Sequence, residues 1–501
     1  MFWIILAFIG LGHYIEDPIY HTYDEVLAEI GSFAATYPDL VFVDTIGFSQ
    51  TDSLPIIAVK ISDNAHLTEA EPKVLFNGVH HAEEVLGCEV IMATMRRLLE
   101  NYPQNDTVRR FVDSLEIWFL PILNPDGHNI VTALIDTGWR KNKRDNNGNG
   151  VFDPDSDGVD LNRNYGFNWE DFVGNVDTVP WGYFYRGTAP FSESETQAMQ
   201  RFCARERFVV SVNYHSPSYS LGEKIYYSWH WPGHTPPFPV DFQVIQETAI
   251  LMAWQIPRDD GTGSYTAVYG DARVPNARNW MYATYGIISL TPEICSRRVQ
   301  IPPDEVPIVI EHNQKGIFWL LDHILHTGIG VVVSDTQTGT PLEAEVRVLE
   351  IDTFDIYPLH RLTDPRTGAH FRMLRPGDYT LKVEAEGYEP KFVQVHVDDG
   401  VMTHIEVKLL RSSPILKPFP NPFRDKVALP LALEHPSKVD LEIFDVTGRK
   451  VVSRSYQENS SGLVQLSWDG RDDNGNRVPD GIYFVQLRAD GERHVFKVLK
   501  L

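Results

Sequence analysis

Histidine and glutamate residues spaced three apart are the first residues of this sequence that could do chemistry. The run Asn77-Gly-Val-His80-His81-Ala-Glu83-Glu84 contains two such pairs, His80 with Glu83 and His81 with Glu84. The run stands between a strand-like and a helix-like segment, so either pair can turn both side chains toward one metal ion. Imidazole and carboxylate suit Zn²⁺, and a catalytic zinc keeps one position open for water. Such a pair also arises by chance on many helix surfaces, so the spacing alone does not establish a metal site.

Further polar motifs follow this run, and several stand where an apolar, strand-like segment ends. In chain order they are Asn124-Pro-Asp-Gly, Gly138-Trp-Arg140, Val159-Asp-Leu-Asn162-Arg163, Asn213-Tyr-His215-Ser, Tyr269, Ala277-Arg278-Asn279-Trp280 and Leu290-Thr-Pro-Glu293. Strand ends are the usual places for site residues in α/β folds, and His215 is a possible third metal ligand.

Taken in this order, the motifs resemble those of the zinc carboxypeptidase family, which includes pancreatic carboxypeptidases A and B and bacterial carboxypeptidase T. The resemblance covers roughly residues 14–326. It selects the second register and implies that His81, Glu84 and His215 are the zinc ligands. His80 then becomes a packing or supporting residue. Glu83 departs from the family pattern, in which an arginine that helps bind substrate often stands at this position.

The resemblance also implies the remaining catalytic roles. Glu293 corresponds to the general base that takes a proton from water and passes it to the leaving amine. Arg140 corresponds to the arginine that shares the oxyanion with the metal. Asn162, Arg163 and Tyr269 correspond to the clamp for the free C-terminal carboxylate, a group that a guanidinium fork binds well.

Arg278 stands where the family has the residue that lines the pocket for the departing side chain. The branch of the family that removes acidic residues also has arginine there. A buried cation favours Asp or Glu and would be left unpaired by an apolar side chain. Asp271 and Arg273 lie in a slightly longer loop, which could shift this alignment by one residue.

The pattern of apolar residues predicts an α/β fold followed by two all-β modules. Up to residue 327, strand-like runs such as Lys73–Val79 and Phe208–Tyr214 alternate with helix-like ones. One of these, the helix predicted over Ser192–Arg205, opens with a capping-box pattern. Together with the family resemblance, which implies a mixed-sheet catalytic domain of the zinc carboxypeptidase type over 14–327, this pattern predicts a β-sandwich over 328–411 and an immunoglobulin-like domain over 412–501.

The two β-modules carry resemblances of their own. Gly330-Val-Val-Val-Ser-Asp, Leu374-Arg-Pro-Gly-Asp-Tyr and Gly387-Tyr-Glu-Pro resemble the transthyretin-like regulatory domain that follows the catalytic domain in several carboxypeptidases. Pro420-Asn-Pro-Phe and Gly481-Ile-Tyr-Phe-Val resemble the immunoglobulin-like domain of flagellar hook-capping proteins and the sorting domains of type IX secretion. The resemblance to type IX sorting domains implies an address that a secretion or cell-surface apparatus recognises, and a passive spacer or surface adhesion domain is the alternative. Either interpretation places the protein outside the cytoplasm.

Composition restricts the function classes. The 44 basic and 68 acidic side chains give a net charge of −24, which argues against nucleic acid or an anionic membrane as partner. Three widely spaced cysteines argue against a disulfide framework and against a thiolate zinc site. The apolar run at residues 1–13 has the length of a signal-peptide core but lacks a positive start. No segment is long and apolar enough to predict a transmembrane anchor.

The loop Asp145–Asp157 begins with the Asp-x-Asn-x-Asn-Gly pattern of a calcium loop, although Ser156 replaces the expected glutamate at position twelve. A polar surface turn explains the same residues. The sequence thus predicts a secreted zinc carboxypeptidase that acts on peptide C-termini, with Ca²⁺ as a possible second ion. Three rival interpretations remain: a catalytically silent cell-surface binding protein, a zinc deacylase, and a peptidase of cell-wall peptides. Loss of a ligand or of the base would favour the first, and loss of the clamp would favour the second.

Overall fold

The computed structural model describes residues 20–216, 222–295, 299–353, 357, 359–412, 418–433, 435–459, 462–489 and 492–501. The predicted signal segment at residues 1–13 lies outside these ranges. The described chain forms two compact units. The first contains the residues up to Ala385 together with Pro390–Leu409, and the second contains Glu386–Glu389 and the residues from Leu410 onward.

An eight-stranded mixed sheet forms the centre of the first unit, with the strand order β1-β2-β4-β3-β5-β8-β6-β7. Its strands are β1 (Val41–Phe48), β2 (Pro55–Ile61), β3 (Lys73–Asn77), β4 (Glu116–Leu120), β5 (Val210–Asn213), β6 (Lys224–His230), β7 (Thr266–Asp271) and β8 (Ile288–Glu293). The helices are α1 (Tyr23–Thr36), α2 (Leu86–Asn101), α3 (Asp106–Val112), α4 (Pro125–Thr132), α5 (Ser194–Glu206), α6 (Phe242–Gln255), α7 (Ala277–Tyr285) and α8 (Val306–Leu325), with a short 3-10 helix at Leu161–Arg163. The predicted α/β fold class is confirmed.

Three adjacent parallel strands, β3, β5 and β8, bring the ends of the predicted motifs to one edge of the sheet. Every residue of β3 and β5 is buried, which explains why their sequences are apolar runs without alternation. Buried amides cross-link the strands: Asn77 donates to Asn213 over 2.8 Å, and Asn213 donates to Ser289 over 2.8 Å. The strands that precede the candidate ligands are therefore held in register by side chains as well as by the backbone.

Two details differ from the sequence predictions. The prediction of a capping box at the start of α5 is wrong. Glu193 is the N-cap residue and its side chain makes no capping hydrogen bond. The Ser192 hydroxyl donates to the Glu193 carboxylate instead. The amphipathic pattern over Glu311–His326 predicts a helix that begins at Glu311, but α8 begins at Val306, because Pro307 in its first turn needs no backbone donor there. The three cysteines are free and buried.

The remaining strands form small antiparallel and mixed sheets, as predicted for the C-terminal region. The first β-sandwich pairs the sheets β10-β12-β13 and β11-β9-β14, and the second pairs β15-β18 with β17-β16-β19-β20. Their bounds are β9 (Ile329–Asp335), β10 (Glu345–Val348), β11 (Ala369–Arg372), β12 (Gly377–Glu384), β13 (Lys391–Val397), β14 (Thr403–Leu409), β15 (Val427–Leu433), β16 (Lys438–Asp445), β17 (Lys450–Gln457), β18 (Gly462–Trp468), β19 (Gly481–Ala489) and β20 (Glu492–Lys500). No helix of the described ranges is long and apolar enough to cross a membrane.

Within the first unit, buried ion pairs join the catalytic domain to the first β-sandwich. The Lys73 ammonium lies 2.8 Å from the Asp364 carboxylate and 3.1 Å from that of Glu206. A second cluster forms where Arg372 donates to Asp241 over 2.7 Å. Arg361 also binds Asp241, and Asp352 of the sandwich contacts both arginines. Two domains with separate sequence signatures therefore share buried charges.

Candidate active site

His81, Glu84 and His215 are brought together at the carboxyl ends of β3 and β5. The Nδ1 atoms of the two histidines are 3.0 Å apart. The Glu84 carboxylate lies 2.8 Å from Nδ1 of His81 and 2.7 Å from Nδ1 of His215. Their ligand atoms all lie within 4.8 Å of one another, and all three side chains are buried. Two imidazole nitrogens and a carboxylate that converge on one point form the donor set of a catalytic zinc site, so these residues fit Zn²⁺.

Electrostatics support the same conclusion. Burial opposes ionisation of Glu84, but the adjacent His81 and then His215 outweigh it and lower the pKa of this carboxyl. The carboxylate is therefore charged, as a metal ligand must be. The backbone amide of Ser216 also donates to Glu84 over 3.1 Å, which fixes the second oxygen.

The backbone around the ligands is constrained. Val79, which directly precedes the two histidines, has φ 52°, a conformation that is costly for a β-branched residue. Gly87 allows α2 to approach the segment between β5 and His215, since a Cβ there would lie 2.9 Å from Cβ of Tyr214. Local strain and a close helix–strand contact thus set the positions of the ligands.

Asp160 is a site residue that the sequence analysis did not identify. It is fully buried, and its carboxylate lies 3.2 Å from Nε2 of His81 and accepts a 2.9 Å bond from Nε of Arg140. A carboxylate behind a metal-binding imidazole fixes the tautomer of that imidazole. The sequence pointed to Asp160 only through its position in the motif Val159-Asp-Leu-Asn162-Arg163, two residues before the predicted clamp residue Asn162.

Arg140 lies beside the candidate metal centre. Its Nη1 lies 3.6 Å from Glu84 and 3.9 Å from Glu83, and its guanidinium stacks 5.3 Å from the ring of Tyr183. The Tyr183 hydroxyl donates to Glu83 over 3.2 Å. Glu83 therefore contacts Arg140 and Tyr183 where the family often has an arginine. Burial and then the charge of Glu84 raise the pKa of Glu83 to about 8.

Of the three predicted clamp residues, two line the cleft. Asn162 Nδ2 lies 3.3 Å from Nε2 of His215. The Arg163 guanidinium donates to the carbonyls of Asn175 and Asn162, and its Nη2 has no partner among the described residues. Tyr269 is 46% exposed, and its ring packs against Tyr227, His230 and Phe238 instead of the cleft.

Arg278 lies buried in the wall of the cleft, with its guanidinium 5.7 Å from the ring centre of Tyr226. None of its nitrogen atoms forms a hydrogen bond or ion pair with a described residue, and Nε is fully enclosed. Burial lowers the pKa of Arg278 to about 10, so the side chain stays charged at neutral pH. Gly270 makes room for it, because a Cβ at that position would overlap Nη2 and lie 3.0 Å from Cζ.

Glu293 ends β8 beside the candidate metal centre. Its backbone pairs with that of His215, and burial and then the charge of Glu84 raise its pKa to about 7. A carboxyl group whose pKa lies near neutrality can both accept and return a proton. His80, by contrast, is enclosed, with Nε2 2.9 Å from the Tyr165 hydroxyl.

These side chains line one cleft of about 390 Å³. Its lining includes the residues His81, Glu83, Glu84, Arg140, Asn162, Arg163, Tyr183, His215, Tyr226, Gly270, Arg278 and Glu293. Of the nine predicted site residues, Tyr269 alone is absent from the described lining.

The predicted calcium loop gains no support from the structure. The Asp145 carboxylate accepts the backbone amides of Gly148 and Gly150, and Asp157 accepts those of Asn146 and Asp153. Turn-forming hydrogen bonds therefore account for the Asp-x-Asn-x-Asn-Gly pattern.

The fold and the cleft together define a mononuclear metallohydrolase of the α/β class. The family model described as zinc carboxypeptidase matches residues 26–316, while models of the FlgD Ig-like domain and the PEGA domain match residues 424–492 and 366–413. The match to the first covers more than half of the sequence, so the chain belongs to the zinc carboxypeptidase family. It is an enzyme of the zinc metallocarboxypeptidase class, which acts on peptide C-termini.

Known proteins resemble the chain over different lengths. A zinc carboxypeptidase of Saccharothrix mutabilis subsp. capreolus is 34% identical over 152 residues, which are 30% of this chain and 33% of that protein. The carboxypeptidase N catalytic chain of Mus musculus is 25% identical over 415 residues, 79% of this chain and 86% of that protein. The crystal structure of carboxypeptidase A from Helicoverpa armigera shares the fold with a TM-score of 0.52 at 22% identity, covering 61% of this chain and 73% of that one.

Proposed function

We propose that this chain is a secreted zinc carboxypeptidase that releases the last residue of peptides and prefers an acidic one. The observation that carries the acidic preference is Arg278, a buried guanidinium in the cleft wall without a hydrogen-bonded or ion-paired anion among the described residues. An Asp or Glu side chain of the substrate would supply that partner, whereas an apolar side chain would leave the charge unpaired.

His81, Glu84 and His215 would hold the zinc, which when bound polarises the peptide carbonyl and activates a water molecule. The other roles belong to side chains of this chain. Arg140, held by Asp160, directs its Nη1 toward the metal centre and so donates to the oxygen that becomes negative.

The free carboxylate of the substrate is the second group to be recognised. Arg163 offers its unpartnered Nη2 to that carboxylate, with Asn162 beside it. This contact places the last peptide bond beside the metal centre, where Glu293 accepts a proton and returns it to the leaving amine. Tyr269 would join the clamp only after leaving its contacts with Tyr227 and Phe238.

Export and the secretion apparatus as partner belong to the same proposal. They are supported by the apolar start of the sequence and by the match of residues 424–492 to the FlgD Ig-like domain. Intact-mass analysis of the cell-free medium of a producing culture would test this. A mature chain that lacks the apolar start is expected, and full-length protein confined to cells would contradict export.

The activity test uses four peptides that differ only in the last residue: Glu, Lys, Phe, and Glu with a C-terminal amide. Mass spectrometry follows the loss of one residue by the zinc-loaded chain, with Glu293→Gln as the inactive control. We expect Glu to be released much faster than Phe or Lys, and its release to be stopped by amidation and by 1,10-phenanthroline. Loss of Phe or Lys at the same rate would refute the role of Arg278. No cleavage of any free-carboxylate peptide would favour the silent binding protein or the deacylase.

Calcium at the Asp145–Asp157 loop remains a prediction. Thermal unfolding of the zinc-loaded chain, measured with and without added Ca²⁺, tests this prediction separately from zinc. If the loop binds Ca²⁺, the added ion raises the melting temperature. An unchanged melting temperature would contradict calcium binding and support the interpretation of the loop as a polar surface turn.

A further inference from the structure

A second cavity, of about 210 Å³, lies between the catalytic domain and the first β-sandwich and shares no lining residue with the cleft. Arg207, Tyr285 and Ile288 line it from the catalytic domain. Arg361, Leu362 and Phe371 line it from the sandwich. Both domains belong to the same compact unit, so the cavity is a feature of one folded body.

The charged groups of the lining are mainly basic. Three arginines and two histidines face a single acid, Asp241. Arg361 is 3% exposed and uses Nη2 for Asp241 and Nε for a 3.4 Å contact with Asp352, which leaves Nη1 without a partner among the described residues. This nitrogen lies beside Gly286, where a Cβ would be 2.8 Å from it. Arg207 binds Glu343 through Nη2 alone, and its Nε is buried and unpartnered.

The positive character of the cavity also affects His370. Burial and then the charges of Arg361 and Arg372 lower its pKa to about 3, so it is neutral at physiological pH. The other walls are apolar or aromatic and include Phe208, Tyr285, Leu362 and Phe371. The lining of the cavity therefore combines guanidinium nitrogens that lack a hydrogen-bond partner among the described residues with apolar and aromatic side chains.

We propose that this cavity binds a small organic anion, a carboxylate attached to an apolar body. The carboxylate accepts hydrogen bonds from Nη1 of Arg361 and from Arg207, and the apolar body packs against Leu362, Phe371 and Tyr285. Guanidinium groups bind carboxylates through short, charge-assisted hydrogen bonds, and the enclosed apolar wall adds contact area.

The cavity adjoins two elements that carry cleft residues. Helix α7 begins next to Arg278 and ends at the lining residue Tyr285. Strand β8 begins at the lining residue Ile288 and ends at Glu293. An anion in the cavity would therefore fix the turn between two elements that hold the selector and the base of the cleft.

The test is calorimetric titration of the full, zinc-loaded chain with benzoate and with benzamide, which has the same ring without the charge. Arg163 and Arg278 in the cleft also attract carboxylates, so the comparison is made between variants with an unchanged cleft. Arg207→Gln removes a donor of the cavity, and Arg201→Gln makes the same change on α5 outside the cavity. Loss of one charge-assisted hydrogen bond lowers affinity about tenfold or more.

We expect Arg207→Gln to weaken one benzoate site about tenfold or more, Arg201→Gln to leave it unchanged, and benzamide not to occupy it. Leu362→Trp, which fills the cavity, should abolish the site, and Leu349→Trp on the same domain should not. Equal benzoate binding by Arg207→Gln and Arg201→Gln would overturn the proposal, as would equal binding of benzamide. If Leu362→Trp fails to fold, the arginine pair still decides the question.

Discussion

Gly270→Ala is the substitution that most directly tests how the cleft selects its substrate. The Cβ of an alanine at this position would overlap Nη2 of Arg278 and lie 3.0 Å from Cζ. The guanidinium is the flexible end of a long side chain and forms no hydrogen bond with a described residue, so it can move at little cost. We therefore expect the alanine variant to fold with its zinc site intact while Arg278 leaves its position.

The size of the effect follows from the lost contact. A hydrogen bond between charged groups contributes about 1.5–3 kcal/mol, so kcat/KM for a peptide ending in Glu should fall about 10- to 150-fold. Peptides ending in Phe should be affected much less, because an apolar side chain makes no ion pair with Arg278. The ratio of kcat/KM for the Glu peptide to kcat/KM for the Phe peptide should therefore fall by nearly the same factor, about 10- to 150-fold.

The assay compares these ratios for the wild type, Gly270→Ala and the control Gly31→Ala. Gly31 lies in helix α1, and a Cβ there would meet nothing within 4 Å, so the control should keep the wild-type ratio. Zinc content and melting temperature are measured for all three proteins. A Gly270→Ala enzyme that keeps its Glu preference, with full zinc content, would refute the assignment of Arg278 as selector.

Three further outcomes are expected. Asp160→Asn removes the charge behind the metal-binding imidazole and should weaken zinc binding about 10- to 100-fold in chelator competition, and an unchanged affinity would contradict this role. The hydrogen bonds to Glu29 and then Glu89 raise the pKa of His21 to about 10. The protein should therefore have a larger free energy of unfolding than a His21→Gln variant, by the full amount below pH 6.5 and by less and less as pH rises through about 10. Urea unfolding of both proteins at a series of pH values measures this difference. Arg372→Met leaves buried acids underpaired and should destabilise the first unit by about 3–5 kcal/mol, whereas a loss below 1 kcal/mol in the same unfolding experiment would refute this role of the ion cluster.

The ligand set of the candidate metal centre was predicted from the family resemblance. The spacing alone left His80 with Glu83 and His81 with Glu84 as equal choices, and the order of the separated motifs selected His81, Glu84 and His215. Neither pattern nor spacing could reveal Asp160, whose role depends on a contact with His81 across 79 positions of sequence.

Other features depend on three-dimensional packing. The ring of Tyr269 packs against Tyr227 and Phe238. The residues next to Tyr269 in sequence do not determine whether its ring lies in the cleft or in this aromatic cluster. The room that Gly270 leaves for Arg278 is likewise visible only when β7 and α7 are placed together. The shared ion clusters of the two domains were missed because each domain was recognised by its own motif.

These ion clusters limit how the catalytic domain can be separated from its neighbour. Lys73, Glu206 and Asp241 are buried in the catalytic domain, yet Asp364, Arg366, Arg361 and Arg372 of the next domain bind them. A fragment cut at residue 327 would present these charges to water as an unmatched surface. A recombinant joined at that boundary would keep the buried charges matched only if both sides of the ion clusters were exchanged together.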